Sequence, residues 1–177
     1  MKKLFILFCF VVYFLFLNSA NALLPVGING GLRIGNSFNN VKSIRNDTKN
    51  DSKLFVAPSI GIKLFSLRGE VEYIYRDKFL KINDTSAKAE SIMFNLYYNF
   101  FDLYLAKLYV NGGYGNTKFS CGSENKNNGT YSVGFGANIS LFDTMNIDVG
   151  YKYMDMGKIN STRVDSHDIY FGLRFSF

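Results

Sequence analysis

The segment His167-Asp168-Ile169-Tyr170-Phe171-Gly172-Leu173-Arg174-Phe175-Ser176-Phe177 decides the fold. With a period of two, His167, Ile169, Phe171, Leu173, Phe175 and Phe177 take one face, and Asp168, Tyr170, Gly172, Arg174 and Ser176 take the other. The first face is apolar and aromatic; the second is polar and carries charge. Terminal residues usually fray in water, so a strand of this kind has little use at the end of a soluble chain. It suits the closing strand of a membrane barrel, with lipid outside and a polar lumen inside.

The N-terminal end agrees. Met1 to Ala22 reads as a secretory signal peptide: Lys2 and Lys3, the uncharged run Leu4 to Leu17, then Ala20-Asn21-Ala22 as a small-x-small cleavage site. The run is short for a spanning helix, which needs about 20 residues. Phe8 before Cys9 argues against a lipoprotein signal. The expected domain is therefore 23–177, with Cys121 as its single cysteine and no intrachain disulfide. The full chain has 20 basic and 14 acidic residues. Removing Lys2 and Lys3 leaves a mild positive balance of scattered charge, which does not point to nucleic acid.

Seven further segments alternate in the same way: Pro25–Phe38, Leu54–Phe65, Leu67–Arg76, Glu90–Asn99, Leu103–Tyr114, Tyr131–Leu141 and Met145–Met154. Short connections lie near Ser66, Phe101-Asp102 and Asp143-Thr144, and long polar ones at Asn39–Lys53, Asp77–Ala89, Gly115–Thr130 and Asp155–Ser166. This rhythm predicts an all-β chain, an eight-stranded antiparallel up-and-down transmembrane β-barrel. Its short turns and both termini face the periplasm, and its four long loops face outside. Two aromatic bands are expected at the bilayer interfaces. Phe65, Phe100, Phe101, Tyr104, Phe142 and Phe177 fall on the short-turn side. Phe38, Phe55, Phe79, Tyr114, Tyr131 and Tyr153 fall on the other.

The polar faces collect Arg33, Lys63, Arg68, Glu70, Glu72, Arg76, Lys107, Asp148, Lys152, Asp168 and Arg174. An eight-stranded barrel has room inside only for side chains or one small ligand. These charges are thus expected to form a lumen network that fills the barrel; the alternative is a narrow porin-like channel that they line.

Several motifs resemble the small outer-membrane barrels of the opacity-protein and surface-antigen type, related in architecture to the transmembrane domain of outer membrane protein A. They are Gly30-Gly31-Leu32-Arg33-Ile34-Gly35, Leu67-Arg68-Gly69-Glu70-Val71-Glu72-Tyr73, Asn111-Gly112-Gly113-Tyr114-Gly115, Val149-Gly150-Tyr151-Lys152-Tyr153 and the ending Phe171 to Phe177. The resemblance implies a surface-antigen or adhesin role in the bacterial outer membrane. It implies outer-membrane lipids and the barrel-assembly machinery as partners, and a host-surface or envelope partner for the loops. Phe175 and Phe177 would carry the assembly signal.

No motif carries enzyme chemistry. His167 is the only histidine, and His167-Asp168-Ile169 lacks the His-x-Ser of lipid A deacylase barrels. One histidine and one distant cysteine do not make a metal site. Gly112-Gly113-Tyr114-Gly115 is not followed by the helix and Lys-Ser/Thr of a phosphate loop. The sequons at Asn46, Asn83, Asn128 and Asn160 follow from Asn-rich loop composition. No cofactor is expected.

Overall fold

The computed structural model describes residues 26–42, 51–82, 85–103, 106–121, 124–142, 144–159 and 162–177. The expected signal segment lies outside them. Eight strands run in chain order: β1 Val26–Lys42, β2 Asp51–Leu64, β3 Leu67–Ile82, β4 Thr85–Leu103, β5 Ala106–Cys121, β6 Glu124–Phe142, β7 Met145–Ile159 and β8 Thr162–Ser176. Each pairs antiparallel with its neighbours, and β1 pairs with β8 to close the barrel. The closing register sets Leu32 against Leu173 and Arg33 against Gly172. The Phe177 N–H donates to the Ile28 carbonyl at 2.8 Å and the Ser176 N–H to the Thr144 carbonyl at 2.8 Å, so the last residues are tied down.

The face assignments of all eight segments hold. Leu32, Ile34, Ile60, Ile62, Val71, Phe94, Leu96, Val133, Phe135, Ile169 and Phe171 are exposed on the outer surface. Such a band is stable against hydrocarbon and costly in water. Phe65, Phe100, Phe101, Phe142 and Phe177 are exposed at the short-turn end; Phe38, Tyr114 and Tyr131 are exposed toward the other end. Phe55 corrects the expected band: it is only 4% exposed and points inward, with the Arg76 guanidinium 5.3 Å from its ring centroid.

The long loops are also corrected. Strand pairing continues through most of them: β5 pairs with β6 up to Cys121–Glu124, β3 with β4 up to Ile82–Thr85, and β7 with β8 up to Ile159–Thr162. β4 and β6 reach 19 residues each, where about 9–11 cross a bilayer. These three connections are therefore paired hairpins. In these stretches the outward face turns polar, as at Asn116, Lys118 and Arg163, while Thr117, Phe119, Met156 and Val164 stay buried inside, so the outward apolar alternation that marks a strand in sequence fades. The fifth strand also starts later than its segment: Leu103 ends β4 and Ala106 begins β5.

At the first short turn, Phe65 has φ +53°, a left-handed conformation that favours glycine. Inside, close packing depends on missing side chains. A Cβ on Gly150 would lie 2.6 Å from Tyr170 Oη and 2.9 Å from Tyr109 Oη. On outward-facing Gly112 the nearest atom would be 4.0 Å away. Gly150→Val should therefore lower unfolding stability in lipid by roughly 1–3 kcal/mol through overpacking, and Gly112→Val should be near neutral. Equal losses in urea titrations of the two variants would contradict the assignment of faces.

Candidate functional site

The barrel interior holds the charged residues, because each lies an even number of positions from its inward neighbours on its strand. Arg33, on β1, is the centre. Its Nη2 donates to Glu70 Oε2 at 2.6 Å and to Asp148 Oδ2 at 3.3 Å; its Nη1 donates to Glu72 Oε1 at 3.0 Å and to Ser59 Oγ at 3.4 Å. Tyr97 and Tyr170 flank the guanidinium, their ring centroids 5.4 and 5.8 Å from Cζ. Three carboxylates from β3 and β7 thus meet one fully buried arginine.

The network spreads from there. Lys152 Nζ donates to Glu72 Oε2 at 2.5 Å, and Asn95 Nδ2 donates to the same oxygen at 2.8 Å. Asp148 also accepts from Arg174 Nη1 at 3.0 Å and Asn138 Nδ2 at 2.8 Å. Arg68 stacks on Tyr97 at 4.1 Å from the ring centroid, and its Nε lies 2.9 Å from Glu70 Oε1. The angle of that last contact is outside hydrogen-bonding range, so it is an ion pair only. Farther toward the long hairpins, Arg76 Nη2 donates to Asp168 Oδ2 at 2.5 Å, and Ser37 Oγ donates to Asp168 Oδ1 at 2.6 Å. Ser91, Thr117 and Thr130 form a hydroxyl chain beside this pair.

Of the residues expected in the lumen network, Arg33, Glu70, Glu72, Arg76, Asp148, Lys152, Asp168 and Arg174 are buried and ion-paired among themselves. Arg68 joins them. Lys63 and Lys107 do not: both line the short-turn mouth, where Lys107 Nζ pairs with the exposed Asp102 at 2.6 Å.

Sequence reading missed an apolar layer inside the barrel. Phe55, Ala57, Ile74, Ala89, Met93, Phe119, Met154, Met156 and Val164 are buried in one cluster with Tyr170. Ile74 sits between Tyr73 and Tyr75, which face outward. A run of three apolar residues hides which of them turns inward; the register of Glu72 and Glu70, two and four positions before Ile74, was the available signal. Tyr170 lies on the polar face as read, and Tyr97 and Tyr109 are buried on the inward faces of β4 and β5; the role of these tyrosines as packing for the arginines was not legible.

His167 and Ser166 are neighbours on a strand and face opposite ways. Ser166 is fully buried; His167 Nδ1 lies 2.5 Å from Tyr151 Oη within an outer aromatic group that includes Tyr153. Among the described residues no group of three or more His, Cys, Asp or Glu has the geometry to hold a metal ion.

Eight antiparallel strands closed on themselves, greasy outside and ion-paired inside, define a small transmembrane barrel of the bacterial outer membrane. The model of the outer membrane protein beta-barrel domain matches residues 8–177, and the chain belongs to that family. Among solved structures it is similar to Neisserial surface protein A, NspA, with 20% identity over 84% of this chain and 97% of that one, at a TM-score of 0.70. It is also similar to Ail, the attachment invasion locus protein of Yersinia pestis (16% identity, 84% and 98% covered, TM-score 0.53). The N-terminal β-barrel domain of Pseudomonas aeruginosa OprF is a third such structure (11% identity, 83% and 97% covered, TM-score 0.54). At these identities the likeness is one of fold. No curated protein matches the chain.

Removing one member of a buried ion network leaves the others uncompensated, which costs about 3–5 kcal/mol. Arg33→Met should destabilise the barrel by that order in denaturant titrations, because Glu70, Glu72 and Asp148 all lose a partner. A change below about 1 kcal/mol, the range of a solvated pair, would show that water already screens these groups.

Proposed function

We propose that this protein is a non-conducting surface barrel whose work lies in the four hairpins it holds outside the cell, in a structural, surface-antigen or adhesin role. The observation that carries this reading is the lumen. The Arg33 network and the apolar cluster next to it occupy the interior from several strands at once, leaving the side chains no bulk solvent. A conducting path needs hydrated groups that an ion can enter and leave. Here the charges are neutralised by each other.

In this reading the short turns and both termini face the periplasm, and the signal segment 1–22 is removed on export. Phe175 and Phe177 present the closing strand to the barrel-assembly machinery. The hairpins provide paired, regular surfaces for contact with host or envelope partners. In sequence, the first long connection and its flanks contain Lys42, Arg45, Lys49 and Lys53 against Asp47 and Asp51, a balance that favours acidic partners. A structure of Ail is described as a complex with the heparin analogue sucrose octasulfate, which is in keeping with a polyanion partner for a barrel of this fold. No step of this role requires a catalytic residue or cofactor.

Two measurements test the reading. In planar bilayers the refolded barrel should give no regular stepwise conductance. Steps that Glu70→Ala or Lys107→Ala abolishes would overturn the closed lumen in favour of a narrow porin-like channel. On intact cells a membrane-impermeant maleimide should label Cys121, at the tip of the third hairpin, and should not label a cysteine placed at Ser66 in a Cys121→Ser background. The reverse pattern would invert the topology.

A further inference from the structure

The short-turn mouth opens into a cavity of about 760 Å³. Four cations line it: Lys63 on β2, Arg68 on β3, Lys107 on β5 and Arg174 on β8. None of its lining residues is acidic. Lys107 is committed to Asp102 on the rim, and Arg174 gives Nη1 to Asp148. Arg68 Nη2 is buried and has no hydrogen-bond partner among the described residues, and it lies 3.9 Å from Asp148 Oδ2. No ion pair is formed by Lys63 among the described residues.

A second, neutral group is also unused. Asn29 is 2% exposed and lines the same cavity, yet neither its amide oxygen nor its amide nitrogen has a partner among the described residues. Buried polar atoms of this kind normally have a partner. A buried guanidinium N–H, an uncommitted ammonium and a free amide around one cavity form a donor set for an oxyanion. The walls nearest the lipid are apolar, from Val26, Phe65, Leu141 and Phe142.

We propose that this vestibule binds a phosphate-bearing ligand, with Lys63, Arg68 and Arg174 facing the phosphate oxygens and Asn29 meeting a neighbouring polar group. The chemistry is that of a phosphate ester, free in solution or presented by a lipid headgroup at the rim. The site is independent of the hairpins and of whether the lumen conducts.

Two arms separate the sources. In uncharged detergent, the full barrel is titrated with glycerol 3-phosphate by calorimetry, with sodium chloride at matched ionic strength as reference. In nanodiscs, phosphatidic acid is mixed into phosphatidylcholine, and headgroup immobilisation is followed by phosphorus NMR. Saturable binding is expected in at least one arm: the first assigns a soluble phosphate ester, and the second alone assigns a headgroup. Lys63→Gln and Asn29→Ala should each weaken it about tenfold, the scale of one lost charge-assisted or buried hydrogen bond. Lys63→Arg should retain it, and Lys118→Gln, on an exposed hairpin position, should leave it unchanged. A heat-modifiable gel shift identifies variants that have folded, and Lys63, on the exposed rim, is the variant least exposed to folding failure. Absence of saturable binding in both arms, or binding that Lys63→Gln leaves unchanged, would overturn the proposal.

Discussion

The burial of Arg33 is the constraint on which the barrel interior depends. A guanidinium removed from water is stable only when carboxylates and hydrogen-bond acceptors surround it. β3 supplies Glu70 and Glu72, β7 supplies Asp148 and β2 supplies Ser59. No single hairpin holds all these groups, so the arginine is satisfied only when the barrel is closed. The same closure removes the free strand edges, which a bilayer does not tolerate. Backbone pairing outside and ion pairing inside therefore favour the same state.

The lumen has two zones with different physics. Toward the short turns it is ionic: Arg68, Lys152 and Arg174 extend the Arg33 network and tyrosines pack over it. Toward the hairpins it becomes apolar, with Ile74, Phe119, Met156 and Val164 filling the space. Arg76 and Asp168 stand at the junction, Arg76 contacting Met154 Sδ at 3.0 Å as well as its carboxylate. An apolar layer excludes water from one side of the ionic layer and raises the cost of separating its charges.

Much of this was legible in the sequence, and the reason is periodicity. A strand between lipid and lumen must alternate, so Glu70, Glu72, Asp148, Lys152, Asp168 and Arg174 were placed inside from spacing alone. Partners were not legible, because cross-barrel contacts such as Arg33 with Asp148 join residues on strands that spacing does not relate. The apolar layer was hidden for another reason. Where both faces are greasy, as at Tyr73-Ile74-Tyr75, only the neighbouring Glu70 and Glu72 carry the direction, and Phe55, expected in the outer aromatic band, turns inward. The extended hairpins were read as loops because their outward face is polar, as at Lys118 and Arg163, and their apolar residues Phe119, Met156 and Val164 point inward, the reverse of the lipid-facing pattern. Lys63 and Lys107 share the inward face of their strands but lie so near the short turns that they reach the mouth instead of the network.

An ion-paired lumen, extended hairpins and a cationic vestibule divide the molecule into an anchor and two surfaces at opposite ends of the barrel. The anchor rests on the claim that Arg33 is dry and held by carboxylates. Solid-state NMR on the barrel in lipid bilayers, with labelled arginine and carboxylate carbons, tests it directly. The Arg33 guanidinium nitrogens should show rigid, short contacts to Glu70 and Glu72 carboxyl carbons and no exchange with bulk water on the same timescale. A mobile, water-exchanging Arg33 side chain without those contacts would contradict the account.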